Sequence, residues 1–195
     1  MTMVLIKKTG ELALIKKTKD DNDVIYSGSF EKDGEFKKDG ESIAVDKGAL
    51  FGEKEQNLAE EGVIFRNLED GLKVMKFLSF KGETEFSGWG FSDSSSDKGL
   101  FINPWSNNTY RSAKDLLLQT GERVGLLGSL GTKEFKIHTH PSKEKGYGYG
   151  YASPADKRNV QYNPVYPHYI LSKRQGITRY NQTNTYTVGD LNKYF

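Results

Sequence analysis

One run of apolar residues constrains the fold of this chain more than any other feature. Its members recur at intervals of three or four residues, which is the spacing of one face of a helix. They are Leu68, Leu72, Met75 and Leu78, and the run starts at Asn67-Leu68-Glu69-Asp70. The segments that follow are short and extended, so the sequence predicts a first helix succeeded by strands.

Five strand-like runs and two shorter helix candidates follow this helix. The runs are TEFSGWGF (84–91), LFINPW (100–105), KEFKIHTHP (133–141), HYILSK (168–173) and ITRYN (177–181). The helix candidates are residues 112–119 and SPADKRNV (153–160). Their order along the chain predicts an α/β fold with a central mixed sheet flanked by helices. The last two runs are expected to form a hairpin that turns at Arg174-Gln175-Gly176.

Residues 1–52 have a different pattern, with short extended segments between turn residues. The sequence LIKK occurs twice around Thr9-Gly10, which predicts a hairpin. Two KDG triplets, at 32–34 and 38–40, are expected to be turns that bracket another short extended segment. We therefore predict a β-meander appendage over residues 1–52 and the main domain over residues 53–195.

Composition excludes several classes of protein. The 28 basic and 26 acidic residues are mixed along the chain, so the net charge is only +2 and the basic footprint of a nucleic-acid-binding protein is missing. Cysteine is absent, which excludes disulfides, thiol catalysis and cysteine-ligated zinc. The sequence has neither an apolar run of roughly 18 residues nor the apolar core of a signal peptide. We expect no nucleic-acid or membrane partner, and a metal site would have to use His, Asp, Glu and water.

Two of the three histidines stand one residue apart in IHTHP, inside the predicted strand 133–141. Alternate residues of a strand face the same side of a sheet, so His138 and His140 are expected to point together, with Thr139 opposite. A pair of imidazoles suits tetrahedral zinc, and Asp156 is the first downstream carboxylate at a well-defined backbone position. Two histidines, one carboxylate and one water would form an open, catalytic type of zinc site.

The SPAD sequence has a second interpretation that needs no metal. Ser153 and Asp156 have the spacing of a capping box, with Pro154 at the first helical position. The two interpretations are compatible, because a hydroxyl group has one donor and two acceptor sites. Ser153 can therefore cap a helix and still donate a hydrogen bond to a developing oxyanion.

The sequence H-T-H-P followed by S-P-A-D resembles the signature of the JAB/JAMM (MPN-domain) metallopeptidases. PHYILSKRQGITRYN is also similar to the strand pair that follows this motif in the family, and the resemblance covers about residues 63–180. It implies MPN/JAB-like, cytidine-deaminase-like layering and a zinc-dependent peptidase or isopeptidase with one Zn2+ per chain. It further implies that His138, His140 and Asp156 bind the zinc, and that Ser153 helps to polarise the scissile carbonyl.

In this family a glutamate from an earlier strand acts as general acid and base. Glu85 matches that position, at the start of the strand that follows the first helix, and Glu83 is the alternative with the same strand parity. Glu134 shares the face of the histidines but lies roughly 13 Å from His138 along the strand. The resemblance therefore implies Glu85 as the catalytic carboxylate.

The segment SKEKGYGYGYA (142–152) is longer than the compact spacer common in the family. Its three tyrosines are expected either to form a lip that binds an extended substrate chain or to belong to a surface loop with no binding role. They are Tyr147, Tyr149 and Tyr151. The remaining histidine, His168, is expected to be structural, and Trp89 is expected to pack in the core or at its rim.

The meander, helix and glutamate-bearing strand also resemble the C-terminal toxin modules of bacterial polymorphic secretion systems, some of which are JAB-like. This resemblance implies export as part of a larger secreted protein, with an immunity or partner protein, whereas the absence of cysteine also fits the cytoplasm. A protein or peptide is the expected substrate. Two alternatives stay open, a catalytically silent MPN-type binding scaffold and a zinc amidohydrolase that acts on a non-protein amide.

Overall fold

The chain folds as an α/β protein with a mixed sheet of many strands and few helices. The computed structural model describes residues 2–6, 11–47, 63–82, 85–92, 97–103, 132–141, 150–162, 164–173 and 176–188. Several predictions fall outside these ranges, including the helix candidate 112–119, the alternative carboxylate Glu83, and the loop residues Tyr147 and Tyr149. The predicted boundary between residues 52 and 53 also lies outside them.

The N-terminal residues form a four-stranded sheet. Its strands are β1 (Thr2–Ile6), β2 (Glu11–Lys16), β3 (Asn22–Phe30) and β4 (Phe36–Asp46), in the order β2-β1-β3-β4. The predicted hairpin is confirmed, since β1 and β2 pair in antiparallel fashion. The turn at 32–34 is confirmed as well, since it joins the paired strands β3 and β4.

The predicted turn at residues 38–40 is wrong, because β4 continues through it. Residues 39–41 form a bulge opposite Ser27, since Tyr26 pairs with Ser42 and Gly28 pairs with Lys38. Gly40 has a φ of 88°, a conformation that glycine adopts without steric cost. The glycine that resembled a turn signal therefore allows a strand to bulge and continue.

The larger sheet has seven strands and holds the HTHP motif. Its strands are β5 (Val63–Phe65), β6 (Ser87–Ser92), β7 (Lys98–Ile102), β8 (Thr132–His140), β9 (His168–Ser172), β10 (Gly176–Tyr180) and β11 (Thr185–Thr187). Their order is β11-β10-β9-β8-β6-β7-β5. Only β8 and β9 are parallel neighbours, so the sheet is mixed as predicted, and β9 and β10 form the expected hairpin.

Helix α1 (Leu68–Gly82) connects the two sheets. Its first turn is capped by Asn67, whose side-chain oxygen accepts the backbone N–H of Asp70 at 3.1 Å. The helix contacts β1 and β4 of the small sheet and β5, β7 and β8 of the large one. Its buried Met75 and Leu78 belong to one hydrophobic cluster with Val45 of β4. The N-terminal sheet therefore packs on this helix.

A second, shorter helix begins within the SPAD sequence. Helix α2 (Pro154–Asn159) continues into a 3-10 turn (Val160–Tyr162). Val160 of this turn belongs to one cluster with Ile170 of β9, which alternates along the strand with residues of the cluster around α1. Within the described residues, neither helix has both the length and the apolar character needed to cross a bilayer.

Candidate metal centre

Strand β8 presents two different faces. Phe135 and Ile137 belong to the cluster around α1, and Thr139 accepts a hydrogen bond from Ser79 of that helix. The alternate residues, among them His138 and His140, project from the other face. The burial of one strand face against α1 therefore fixes both imidazoles on the other face of the sheet.

Asp156 lies directly beside the two imidazoles. The Nε2 atoms of His138 and His140 are 3.0 Å apart. One carboxylate oxygen of Asp156 is 3.4 Å from the Nε2 of His138, and the other is 3.6 Å from the Nε2 of His140. Asp156 thus lies beside the histidines, although a long Gly/Tyr-rich segment separates them in the sequence.

These separations fit the dimensions of a tetrahedral zinc site. Two ligand atoms that each lie about 2.1 Å from a tetrahedral zinc ion are roughly 3.4 Å from each other. One ligand atom from each of the three residues lies within 4.8 Å of the others. The donor set of two imidazoles and a carboxylate is one that zinc accepts, and it leaves a fourth position open. We therefore regard His138, His140 and Asp156 as a candidate metal centre.

The capping box of α2 orients the Asp156 carboxylate. The Ser153 hydroxyl accepts the N–H of Asp156 at 3.1 Å, and Asp156 accepts the N–H of Ser153 at 2.7 Å. The predicted capping box, with Pro154 at the first helical turn, is therefore confirmed. Since the same carboxylate faces the histidines, the helix cap and the candidate ligand are one group.

The surroundings of Asp156 favour its ionised form. Burial alone would raise the pKa of its carboxyl, but the hydrogen bonds from His138 and His140 act in the opposite direction. Together with the charge of His138 and the hydrogen bond with Ser153, they hold the pKa of Asp156 well below its usual range. A permanently ionised carboxylate is the form that binds a metal ion.

Glu85 lies two residues before the first residue of β6, with an exposed side chain. The residue that follows it, Phe86, is still bonded to β8, since the N–H of Thr139 donates to the carbonyl of Phe86 at 2.8 Å. Glu85 does not belong to the His/His/Asp cluster, and its role as the catalytic carboxylate stays a prediction.

The hydroxyl group of Thr139 lies on the α1 side of β8 and forms hydrogen bonds with α1 and with the residue before β6. It accepts the hydroxyl hydrogen of Ser79 at 2.7 Å and the backbone N–H of Phe86 at 2.8 Å, and it is fully buried. This one oxygen therefore links α1, the strand that carries the histidines and the residue that follows Glu85.

Replacing Thr139 with valine is expected to lower the free energy of unfolding by about 2 kcal/mol. Valine has nearly the same shape but leaves the buried N–H of Phe86 without its acceptor, and such a donor costs about 1–3 kcal/mol. The measurement is the midpoint and slope of denaturant unfolding. Thr132→Val, at the exposed end of the same strand, is the matched control. Equal stability of the two variants would contradict this role of the Thr139 hydroxyl.

Tyr180 packs beside the centre and was missed by the sequence reasoning. Its ring meets the ring of His138 edge-on, with centroids 5.8 Å apart, and the ring of His168 at 5.5 Å. Burial raises the pKa of the Tyr180 hydroxyl, and the charge of Asp156 raises it further, so the phenol stays neutral. Nothing in the sequence ITRYN distinguishes this tyrosine, because its position depends on the pairing of β10 with β9.

Ser87 and Asn103 form a second polar pair on this face. Ser87 is directly opposite His138 in the β6–β8 pairing. The Asn103 amide donates to the Ser87 hydroxyl at 2.7 Å, whereas its buried carbonyl oxygen has no hydrogen-bond partner among the described residues. Sequence reasoning missed this pair too, since it arises only from the alignment of three strands.

The other residues singled out in the sequence lie away from the three ligand atoms. His168 is buried against Tyr180 and does not belong to the His/His/Asp cluster. Glu134 accepts a hydrogen bond from Ser92 at 2.6 Å, near the other end of β8. Tyr151 is 53% exposed, and its proposed contact with substrate stays a prediction.

Two lysines lie on the same sheet near the centre. Burial, together with the positive charge of Lys133, lowers the pKa of Lys136 to about 8, and burial lowers the pKa of Lys133 as well. Both ammonium groups lie over the ring of Trp89, which is 4% exposed as expected for a core residue. The sequence contains no local signal for this arrangement.

Comparisons with protein-family models, with curated proteins and with solved structures find no match to this chain. Arguments about its function therefore depend on the chemistry of the site and on the motif resemblance. At the coarsest level, the structure defines an α/β protein with a candidate two-histidine, one-carboxylate metal centre on one face of a mixed sheet.

Proposed function

We propose that this protein is a zinc-dependent hydrolase that cleaves a peptide or isopeptide amide bond. The observation that carries the proposal is the close approach of His138, His140 and Asp156, with separations of 3.0, 3.4 and 3.6 Å. The two motifs, HTHP and SPAD, come from different parts of the chain and meet at one point. A helix cap alone does not require two histidines beside its carboxylate.

His138, His140 and Asp156 would hold the zinc. When bound, zinc lowers the pKa of a coordinated water to about 7 and polarises a carbonyl group. The JAB/JAMM resemblance supports this choice of metal and of ligands. MPN/JAB-like layering, with α1 and α2 on opposite faces of the mixed sheet, is part of the same proposal, and the separate clusters that contain the α1 residues and Val160 support it.

A side chain of the protein accepts and donates the protons of the reaction. Glu85 accepts a proton from the attacking water and later donates it to the leaving amine, so the amide is split with the addition of one water molecule. Its exposed carboxylate is suited to exchange protons with a substrate that enters from solvent. General acid–base catalysis of this kind contributes typically 10²–10⁴-fold to the rate.

Ser153 would stabilise the negative charge that develops on the carbonyl oxygen. Its oxygen accepts the N–H of Asp156 in the cap, and the proposed role would use the other site of the hydroxyl, its hydrogen. A donor that is already held in place by a helix cap needs no reorganisation during the reaction. The capping box and the catalytic role proposed for Ser153 thus use different sites of one hydroxyl group.

The test of the metal centre is the metal content of the protein purified without chelator or added metal. We expect about one zinc per chain by elemental mass spectrometry, since the donor set is that of a mononuclear zinc site. After chelation, zinc titration is expected to restore both occupancy and hydrolysis of a peptide or ubiquitin-like conjugate panel. A protein without metal that also takes up no zinc on titration would refute the proposal.

A further inference from the structure

Lys133 and Lys136 form a cationic pair over one aromatic ring. Each Nζ atom lies 4.4 Å from the centre of the Trp89 ring. Trp89 is directly opposite Lys136 in the β6–β8 pairing, and the register shifts between Gly90 and Phe91, where Phe91 pairs with Lys133. This irregularity brings two lysines that are three residues apart to the same ring, although a regular strand would place them on opposite faces.

The pair has no acidic partner in the described part of the chain. The charge that acts on Lys136 is that of Lys133, and Glu134, between them in sequence, hydrogen-bonds with Ser92 instead. Two like charges on a partly buried surface repel each other, and the face of an aromatic ring offsets this only in part. An anion bound between the ammonium groups would remove the repulsion.

The lysine pair is close to the candidate metal centre. Lys136 and His138 are two residues apart on the same face of β8, which corresponds to about 7 Å along the strand. An extended peptide advances at nearly the same rate per residue, so two of its residues span this distance. A substrate amide at the metal centre would therefore bring a group about two residues away next to the lysines.

We propose that Lys133 and Lys136 bind a carboxylate of the substrate, so that the enzyme selects amides with a carboxylate about two residues from the scissile bond. The carboxylate can be the C-terminus of a short peptide or an acidic side chain, and both present the same chemistry to two ammonium groups. The selection of substrate rests on the proposed hydrolase function, whereas the binding of the anion does not.

The first experiment measures anion binding without catalysis. The protein is freed of zinc by chelation and carries Trp105→Phe, so that Trp89 is the remaining tryptophan. It is titrated with glutarate and with neutral glutaramide while Trp89 fluorescence is recorded. We expect saturable binding of glutarate alone. Combined replacement of Lys133 and Lys136 by methionine keeps the apolar stems on the ring and is expected to raise Kd about tenfold or more.

Two further variants control this experiment. Lys76→Met removes an exposed lysine of α1 and is expected to leave glutarate binding unchanged. Lys136→Arg keeps the charge, so it is expected to retain binding and to show that the methionine result is not a loss of folding. No saturable response to glutarate, or equal binding by the wild type and the double methionine variant, would overturn the proposal.

The second experiment measures selection during hydrolysis with the zinc-loaded protein. The substrates are pairs of peptides with one scissile bond each. The members of one pair differ in a free or an amidated C-terminus, and those of the other differ in aspartate or asparagine two residues from the scissile bond. We expect kcat/KM to be about tenfold or more higher for the acidic member of at least one pair, and the double methionine variant to abolish the difference. Cleavage of all peptides at equal rates would refute the subsite and leave the hydrolase intact. Lysine-dependent glutarate binding without any cleavage would refute the hydrolase and leave the anion site intact.

Discussion

Glu85→Gln is expected to lower the rate of hydrolysis by about 10²–10⁴-fold while zinc stays bound. The amide of glutamine keeps the size of the side chain but cannot accept and return the proton of the attacking water. Glu85 is not one of the three ligand residues, so the metal centre itself is unchanged. The measurement is kcat on a cleaved peptide, together with the zinc content of the same preparation.

The matched control for this variant is Glu134→Gln. Glu134 is also a carboxylate of the same sheet, but it is hydrogen-bonded to Ser92 near the other end of β8. We expect this control to keep both zinc and turnover. Undiminished turnover of Glu85→Gln would show that Glu85 is not the proton acceptor, and Glu83 would then be replaced in the same way.

His140→Ala is expected to abolish both zinc binding and turnover. The imidazole of His140 is 6% exposed, and its Nε2 lies 3.0 Å from the Nε2 of His138 and 3.6 Å from the Asp156 carboxylate. Replacing a residue that only supports a metal ligand weakens metal binding by roughly 10–100-fold. Loss of a direct ligand should weaken zinc binding by more than that. Zinc titration of the chelated variant, monitored by calorimetry, gives the affinity.

His168→Gln is the control for the histidine variant. His168 is equally buried on the same face, but it packs against Tyr180 and is not part of the cluster. We expect it to keep one zinc per chain. Full occupancy and turnover in His140→Ala would contradict the proposed centre, and thermal unfolding of both variants separates loss of metal from loss of fold.

Predictions that depend on a few neighbouring residues were confirmed. Leu68, Met75 and Leu78 are buried on α1, with Leu72 half-buried against the same cluster, and Ser153 and Asp156 do form a capping box. The wrong prediction, a turn at 38–40, used an equally local signal. Glycine allows the backbone conformation of a turn and of a bulge alike, and the pairing of β4 with β3 decided between them.

The sequence alone did not indicate the short strands β5 and β11. Each has only three residues, too few for a periodic pattern to stand out. They become visible only as partners of β7 and β10, because edge pairing is a property of the assembled sheet. The same holds for Tyr180, whose place beside His138 depends on the order of β8, β9 and β10.

The sequence by itself determined that His138 and His140 point to one side and that Asp156 sits in the first turn of a helix. Both follow from the period of a strand and from the chemistry of a helix cap, which act over a few residues. The tertiary structure alone decided that this helix returns to the histidines and that two lysines share Trp89. These placements depend on strand order, register and a register shift, which are set by burial across the whole sheet and leave no local trace in the sequence.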